Sequence, residues 1–342
     1  MKKIFITMLN LQLFAAVTPN ATTDPGLSAE NKTFYDKTLI KVAGPHLVHA
    51  QFAQKKPIPK NGGKTIEFRQ FGTLAKATTP LTEGVTPDGK KLTVTDLTST
   101  VQQYGDYVPL TDMIQLTAID RVVVEALEAI GRQAGLTLDT VVRDVLVAGT
   151  NVSYCPKIAA DGTETEVLSR ANLDLSCRLT VDMVQRAATK LKANNVPTID
   201  GSYVAIIHPY VAYDLMRDKE WREVHTYAGT GNIFNGEIGK IAGVRFVETS
   251  EAAIFYGEGC PNGLGVFATM FLGANAYGDT EIEGGGLETI IKQLGSGGTS
   301  DPLNQRSTVG WKATKTAERL LETHMVRVES CSKYSPSITA AN

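Results

Sequence analysis

The chain has 342 residues, 42% of them hydrophobic, and its 34 basic and 36 acidic side chains leave a formal net charge of -2. That is enough apolar material for a buried core and about two domains. The absence of a basic surplus excludes a surface built broadly for nucleic acid.

Met1–Val17 has the outline of a secretory signal, with Lys2 and Lys3 before an apolar run and small residues at Ala15 and Ala16. Asn10 and Gln12 interrupt that run, and it is too short to span a bilayer. Residues 18–28 are rich in Thr, Pro, Asn and Asp and read as an extended arm. Ser28 then caps a helix through Val42, which Gly44-Pro45 ends. His46 and His49 follow at i, i+3, with no acidic or cysteine partner nearby in sequence, so they read as ordinary polar residues rather than metal ligands.

Between Pro57 and Thr111, Lys64–Arg69 and Lys91–Gln103 alternate polar and apolar residues in strand fashion around the turn-rich string ATTPLTEGVTPDGK. This pattern predicts a long hairpin with too few large apolar residues near its tip to form a core. A two-stranded ribbon is marginal in water, so it is expected to lie on its own domain or on a neighbouring subunit. Glu67 and Arg69, two apart, share one face of it.

Thr117–Gly149 predicts one long amphipathic helix of about 45 Å. Ile119, Val123, Leu127, Ile130, Ala134, Leu138, Val141, Val142 and Val145 fill its apolar face, and the polar positions include Asp139 and Arg143. Thr117 with Asp120 resembles a capping box, and Gly149 is the expected stop. Gly131 and Gly135 each cost about 1 kcal/mol relative to Ala inside a helix, which predicts a close approach there, by a strand crossing the helix, or a kink.

Asn151–Ser176 reads as a loop or short insertion. Thr180 starts a second helix with Val181, Val184, Ala188 and Leu191 inward, ending before Pro197. Tyr203–Ile207 is a buried strand, and helices follow through Met216 and over Trp221–Tyr227. Ile241–Glu248, Leu264–Leu272 and Thr289–Leu294 are strands. Ser307–Ala317 and His324–Glu329 are two more, both placed to pack over the long helix. This order describes an α+β fold rather than a βαβ repeat.

No catalytic, cofactor or metal constellation emerges. Cysteines at 155, 177, 260 and 331 lack the close spacing of metal or redox motifs and read as reduced structural thiols, although Cys155 and Cys177 flank one loop and are placed to pair in an oxidising setting. GNIFNGEIGK has Gly236, Gly239 and Lys240 at the wrong spacing for a phosphate loop and reads as a turn before the Val244 strand. His208 has no Ser or Cys nucleophile motif beside it. Asp106, Asp112, Glu248 and Glu251 offer no spacing that nominates an acid pair. Gly284–Gly286 reads as a tight turn rather than an anion cradle.

Particular strings add to this reading. NLQLFA (Asn10–Ala15) resembles the opening of many tailed-phage capsid proteins, against the signal reading. KNGGKTIEF (Lys60–Phe68), TTPLTEGVTPDG (Thr78–Gly89), QYGDY (Gln103–Tyr107), LTAID (Leu116–Asp120), AGTNV (Ala148–Val152), LKANN (Leu191–Asn195), AIIHP (Ala205–Pro209), NGEIGKIAGVRFVET (Asn235–Thr249), EIEGGGL (Glu281–Leu287) and DPLNQRSTVGWK (Asp301–Lys312) resemble, in one order, the major capsid family typified by coliphage N-four. The resemblance implies the Hong Kong-type (Johnson) capsid fold. Its parts would be an N-terminal arm (1–60), an E-loop hairpin (61–111), a peripheral domain with a spine helix (112–176), an axial domain (177–299), return strands of the peripheral domain (300–332) and a C-terminal tail (333–342).

The implied function is that of a non-enzymatic subunit building the icosahedral head of a tailed double-stranded DNA phage from hexamers and pentamers. It would be assembled in the bacterial cytoplasm and located in the virion. Implied partners are the chain itself, a separate scaffolding protein, a portal protein and DNA bound without sequence specificity; no membrane or cofactor is implied. The scaffold is expected to be separate because only about 27 residues precede the first expected helix, too few for the fused scaffold of some relatives. Glu67, Arg69, Glu83, Asp88, Lys90 and Lys91 are the candidate contacts between subunits. Some relatives crosslink lysine to asparagine, but no activating acid is evident in sequence beside Lys90 and Lys91. A nanocompartment shell of the encapsulin type shares the fold, and a secreted hydrolase is the alternative of another class.

Overall fold

The computed structural model describes residues 39–72, 74–81, 83–86, 88–118, 122–159, 161–227, 237–298 and 301–342. The signal-like start, the arm and most of the first expected helix lie outside the described residues. Residues 39–43 are helical, and a 3-10 turn at Gly44–His46 ends that segment.

In chain order the structure then runs through β1 (Gln54–Lys55), β2 (Thr65–Phe71), β3 (Val94–Thr100), β4 (Gln102–Thr111), α1 (Asp112–Thr117), α2 (Val122–Val147), β5 (Val152–Tyr154), β6 (Lys157–Ile158), β7 (Glu164–Thr165) and α3 (Val181–Ala193). It continues with β8 (Tyr203–Ile207), α4 (Pro209–Met216), α5 (Lys219–Tyr227), β9 (Glu237–Ile241), β10 (Val244–Glu248), β11 (Ile254–Phe255), β12 (Val266–Leu272), β13 (Tyr277–Thr280), β14 (Glu288–Lys292), β15 (Arg306–Arg319) and β16 (Met325–Ser330). A seven-stranded sheet has the order β5-β16-β12-β8-β10-β9, with β11 also on β12. A five-stranded sheet has the order β1-β13-β15-β14, with β4 also on β15, and β2-β3 and β6-β7 are separate ribbons. Helices and mixed sheets in this arrangement make the fold α+β.

Thr180 accepts a hydrogen bond from the Met183 N–H at the start of α3, as its position before an amphipathic run dictates. The apolar face of α3 packs with alternate residues of the central strands, Ala205 and Ile207 of β8 and Phe267 and Phe271 of β12. The opposite faces of the same strands, through Ile206, Met270 and Leu272, meet Val142 and Leu146 of α2. Both strands are buried throughout because helices cover both sides of the sheet.

Helix α2 is the spine, and it serves both sheets. Its first half, through Leu127, Ile130, Ala134 and Leu138, packs on Val309, Trp311 and Ala313 of β15, and its second half packs on the seven-stranded sheet. Removing one of these leucine side chains costs about 2–5 kcal/mol. The spine has 26 residues rather than 33, because Thr117 belongs to α1 and Ala118 is extended. Thr117 donates its hydroxyl to the Met113 carbonyl instead of capping the spine, and Thr111 caps α1.

The two interior glycines meet a helix, not a strand. A Cβ on Gly135 would lie 2.6 Å from the Ala43 carbonyl oxygen, and one on Gly131 would lie 3.3 Å from that of Leu39, so segment 39–46 crosses the spine backbone to backbone. At the other end, Arg319 Nη1 donates to the Val145 carbonyl (3.3 Å), and Arg327 Nη1 donates to those of Val147 and Gly149. These cations satisfy the last turn's orphan carbonyls and oppose the negative end of the helix dipole.

Other expectations are corrected by pairing partners that are distant in sequence. Strand β15 packs along the spine's first half, whereas β16 lies between β12 and β5 in the seven-stranded sheet and reaches the spine's last turns through Met325 and Arg327. Asn151–Ser176 contains β5, which pairs in parallel with β16, and the β6-β7 ribbon. The turn before β10 is Ala242-Gly243, both at positive φ, and Gly239-Lys240 is strand. Asp139 and Arg143, expected on the solvent side of the spine, are buried.

Candidate assembly surface

The β2-β3 ribbon projects from the five-stranded sheet. Its base is held by Ile66 and Phe68, which face inward with Val101 and Ile58, and the Phe68 ring occupies the place of a Gly278 side chain, 2.6 Å from where a Cβ would be. Ser99 Oγ and Thr316 Oγ1, 2.8 Å apart, add one hydrogen bond to β15. Beyond the base the alternation places Glu67, Arg69 and Phe71 on the outer face, opposite Thr98, Asp96 and Val94.

The distal half is apolar and uncovered. Phe71, Leu74, Leu81, Val85, Leu92 and Val94 are all exposed, Leu81 by 77%. The inner cluster of the ribbon stops at Phe68 and Leu97, so among the described residues these six side chains belong to no core cluster. Six large apolar side chains exposed on one ribbon mark a place where another surface is to bind.

The six candidate contact residues all lie on this ribbon, exposed, and do not converge. Glu67 and Arg69 share the outer face of β2, whereas Glu83, Asp88, Lys90 and Lys91 belong to the 72–93 tip. Arg69 Nε is 3.5 Å from Asp96 Oδ1 across the ribbon, so its charge already has a partner within the chain. Lys90 Nζ donates to the Ala75 carbonyl (3.4 Å), spanning the two arms of the tip.

Strand β4 is bonded to β15 along one side and forms the edge of the five-stranded sheet. Two successive outward-turned backbone positions of that edge are blunted. The Tyr107 N–H donates to its neighbour's Asp106 Oδ1 (2.8 Å), and Pro109 has no N–H. Asp106 also accepts from Gln133 Nε2 of the spine (2.7 Å), and these two bonds, Gln133's first, hold its carboxyl below the usual range.

Residues considered for chemistry have structural employment. His208 Nδ1 accepts from the Tyr210 N–H (3.1 Å) as the N-cap of α4, its ring packs on Phe267 with centroids 4.9 Å apart, and burial lowers its pKa to about 4. Asp106, Asp112, Glu248 and Glu251 sit on β4, α1, β10 and the loop after β10, and burial raises the Glu248 carboxyl. Gly284 turns at φ 78°, and the Gly285 N–H closes the turn on the Ile282 carbonyl (2.7 Å). All four cysteines are free thiols; Cys155, Cys177 and Cys331 are buried in the core of the seven-stranded sheet, and burial pushes Cys331 up to about 12.

Two buried charge clusters escaped the sequence reading. His49 is not an ordinary polar residue: its Nδ1 lies 2.6 Å from Asp139 Oδ2, and its backbone N–H donates to Asp139 Oδ1 (2.7 Å). Glu329, fully buried, is gripped at both oxygens by Arg170 (2.7 Å each), whose guanidinium stacks 3.5 Å from the Phe255 ring centroid, and Arg327 Nε lies 2.9 Å from the same carboxylate. A cavity of ≈ 500 Å³ between the 44–57 segment and β13 is lined by Lys55, Lys56, Asp279, Glu281 and Lys315. Lys315 Nζ there is 2.6 Å from Asp279 Oδ2, so two of the wall's charges are paired with each other. Among the described residues no group of His, Cys, Asp and Glu is arranged to hold a metal ion, and no helix is long and apolar enough to cross a membrane.

A family model described as phage capsid protein matches residues 93–317, more than half of the chain. Among solved structures, the capsid of the cyanophage P-SCSP1u is similar over 82% of this chain and 87% of that one, with a TM-score of 0.62 at 14% identity. The capsid of Ralstonia phage GP4 covers 84% and 88% at the same score and identity. The head of Helicobacter pylori bacteriophage KHP40 covers 81% and 88%, with a TM-score of 0.58 at 12% identity. No curated protein matches the chain.

Proposed function

The chain belongs to the phage capsid protein family and has the Hong Kong-type (Johnson) capsid fold, and on that premise we propose that it is the repeating subunit of a closed icosahedral phage head. In this reading the β2-β3 ribbon is the E-loop. The spine with the five-stranded sheet is the peripheral unit, and the seven-stranded sheet with α3, α4 and α5 is the axial unit. The observation that carries the reading is the distal ribbon, whose six exposed apolar side chains would gain burial on another molecule. A contact between a ribbon and a different patch on the next copy is head-to-tail, and repeated rotation closes such contacts into rings.

The finer parts of the proposal are hexamers and pentamers as capsomers, affinity to the coliphage N-four type, a separate scaffolding protein, a portal, and double-stranded DNA held without sequence specificity. The near-neutral charge fits a subunit that packs against many copies of itself while leaving DNA contact to local patches. Size-exclusion chromatography and electron microscopy of the purified chain, alone and with a scaffold, test the reading. Closed shells with scaffold and aberrant assemblies without it are expected; a monomer under every condition overturns it. Shells isolated from cells with an enzyme cargo rather than DNA would identify a nanocompartment instead.

A further inference from the structure

The tail after β16 returns across the axial unit and ends on the spine. Ser332 Oγ donates to the Tyr210 carbonyl (3.1 Å), Ser335 Oγ to that of Gly265 (2.6 Å), and the Gly265 N–H to the Ser335 carbonyl (3.1 Å). Tyr334 stacks on Tyr210 with centroids 4.7 Å apart. Ile338 fills the space over Gly265, 2.7 Å from where a Cβ would stand.

Residues 339–342 are all exposed, yet Asn342 is gripped at three atoms. Its Oδ1 accepts from the Ile254 N–H (2.8 Å), its Nδ2 donates to the Ala252 carbonyl (3.1 Å), and its backbone oxygen accepts from Arg143 Nη2 (3.1 Å). Arg143 Nη1 also donates to the Glu251 carbonyl (3.2 Å), and its Nε and Nη2 reach Asp144 Oδ1 (3.0 and 2.9 Å). The Arg143 side chain is 5% exposed, whereas that of Asp144 is 63% exposed.

We propose that Arg143, Ala252 and Ile254 form a peptide-binding socket that reads the carboxamide of Asn342, and that the tail is a detachable latch joining the spine to the axial unit. A carboxamide supplies an acceptor to the Ile254 N–H and a donor to the Ala252 carbonyl from one planar unit, which neither a carboxylate nor an ammonium can do. The guanidinium beside them completes the recognition through the ligand's main chain. Arg143 is a buried cation that keeps the Glu251 carbonyl and Asp144 as acceptors, so the socket persists when the tail leaves, with one N–H of Arg143, the Ile254 amide and the Ala252 carbonyl losing their partner on the tail. Ser332 and Ser335 are buried, but the last four residues, 339–342, are exposed and held only through Asn342, which is the arrangement of a ligand rather than of a core element.

Amide hydrogen exchange of the full chain tests this without reference to assembly. In Asn342→Ala the Ile254 amide and the amides of 335–342 are expected to exchange at least about tenfold faster, with the thermal midpoint of the chain nearly unchanged. Adding a synthetic peptide of residues 336–342 to that variant should restore Ile254 protection, and the same peptide carrying Asn342→Ala should not. Unchanged exchange at Ile254, a peptide without effect, or equal rescue by both peptides overturns the proposal. A variant that unfolds as a whole also overturns it, since Asn342 would then belong to the fold and not to a latch.

Discussion

Asp139 holds His49 at two points, one carboxylate oxygen on the backbone N–H at 2.7 Å and the other 2.6 Å from Nδ1, with both side chains almost wholly buried. The Tyr277 hydroxyl donates to the His49 carbonyl, so one residue of the N-terminal segment ties the spine to β13. Asp139→Ala strips partners from a buried N–H and an imidazole, and is expected to cost about 3–5 kcal/mol in denaturant unfolding. Asp139→Asn keeps one acceptor and should cost less. Equal and small losses for both would show that the contact does not hold the segment.

The spine glycines give a paired test. Gly135→Ala pushes a methyl into the Ala43 carbonyl and is expected to destabilise by about 1–3 kcal/mol. Gly131→Ala meets Leu39 and Val42 at 3.3 Å, where a small shift suffices, and gains up to about 1 kcal/mol of helix propensity. Its net change in chemical denaturation should fall within about 1 kcal/mol of zero. Reversal of this order would mean the crossing is set elsewhere.

His208 makes stability depend on pH. Its folded pKa of about 4 lies below the unfolded 6.5, so the unfolded state binds more protons between them. The contribution is present in full above about 6.5 and is lost as pH falls toward about 4, by up to about 3 kcal/mol. Protonation at Nδ1 would also remove the acceptor that caps α4. His208→Asn keeps a capping oxygen, so its stability should fall less steeply than the parent's across that window. Identical slopes, or a His208 resonance titrating near 6.5, would contradict this.

On the ribbon, Arg69→Glu sets two carboxylates across from each other but disturbs only an exposed pair worth about 0–1 kcal/mol. The reversal Glu67→Arg with Arg69→Glu and the separate change Phe71→Asp should likewise leave the subunit's thermal unfolding nearly unchanged. Each is expected to lower the yield of closed particles in a scaffold-assisted assembly reaction, Phe71→Asp most, because a contact repeated around a shell multiplies a small loss. Normal yields for all of them would remove the ribbon from the interface.

The parts legible in the sequence are those whose causes are local. Thr180 before a periodic run and His208-Pro209 at a strand end fixed the starts of α3 and α4, and the exposed ribbon followed from alternation without a core. What stayed hidden depends on partners far along the chain. Asp139 meets a residue 90 positions away and Arg143 one 199 positions away, so charge alone placed both on the solvent face. Glu329 is buried for the same reason, its partner Arg170 being 159 positions away. Strands β5 and β13 are three and four residues long, too short for alternation to register, and exist because β16 and β15 pair with them. His49 was the one buried cluster with a hint, a histidine just after a Gly-Pro stop, but nothing near it supplied the acid.

The blunted edge of β4 bears on how an assembly of many identical copies corrects its mistakes. Main-chain ladders between strands form in any register and are slow to undo, so a growing lattice that used them would freeze each misplaced copy. With Tyr107's amide occupied by Asp106 and none at Pro109, this edge withholds the ladder and leaves association to side-chain surfaces. Contacts of that kind are individually weak and dissociate quickly, so a wrongly seated copy can leave before its neighbours enclose it. Fidelity of the finished lattice then rests on hydrogen-bond donors that one edge strand does not offer.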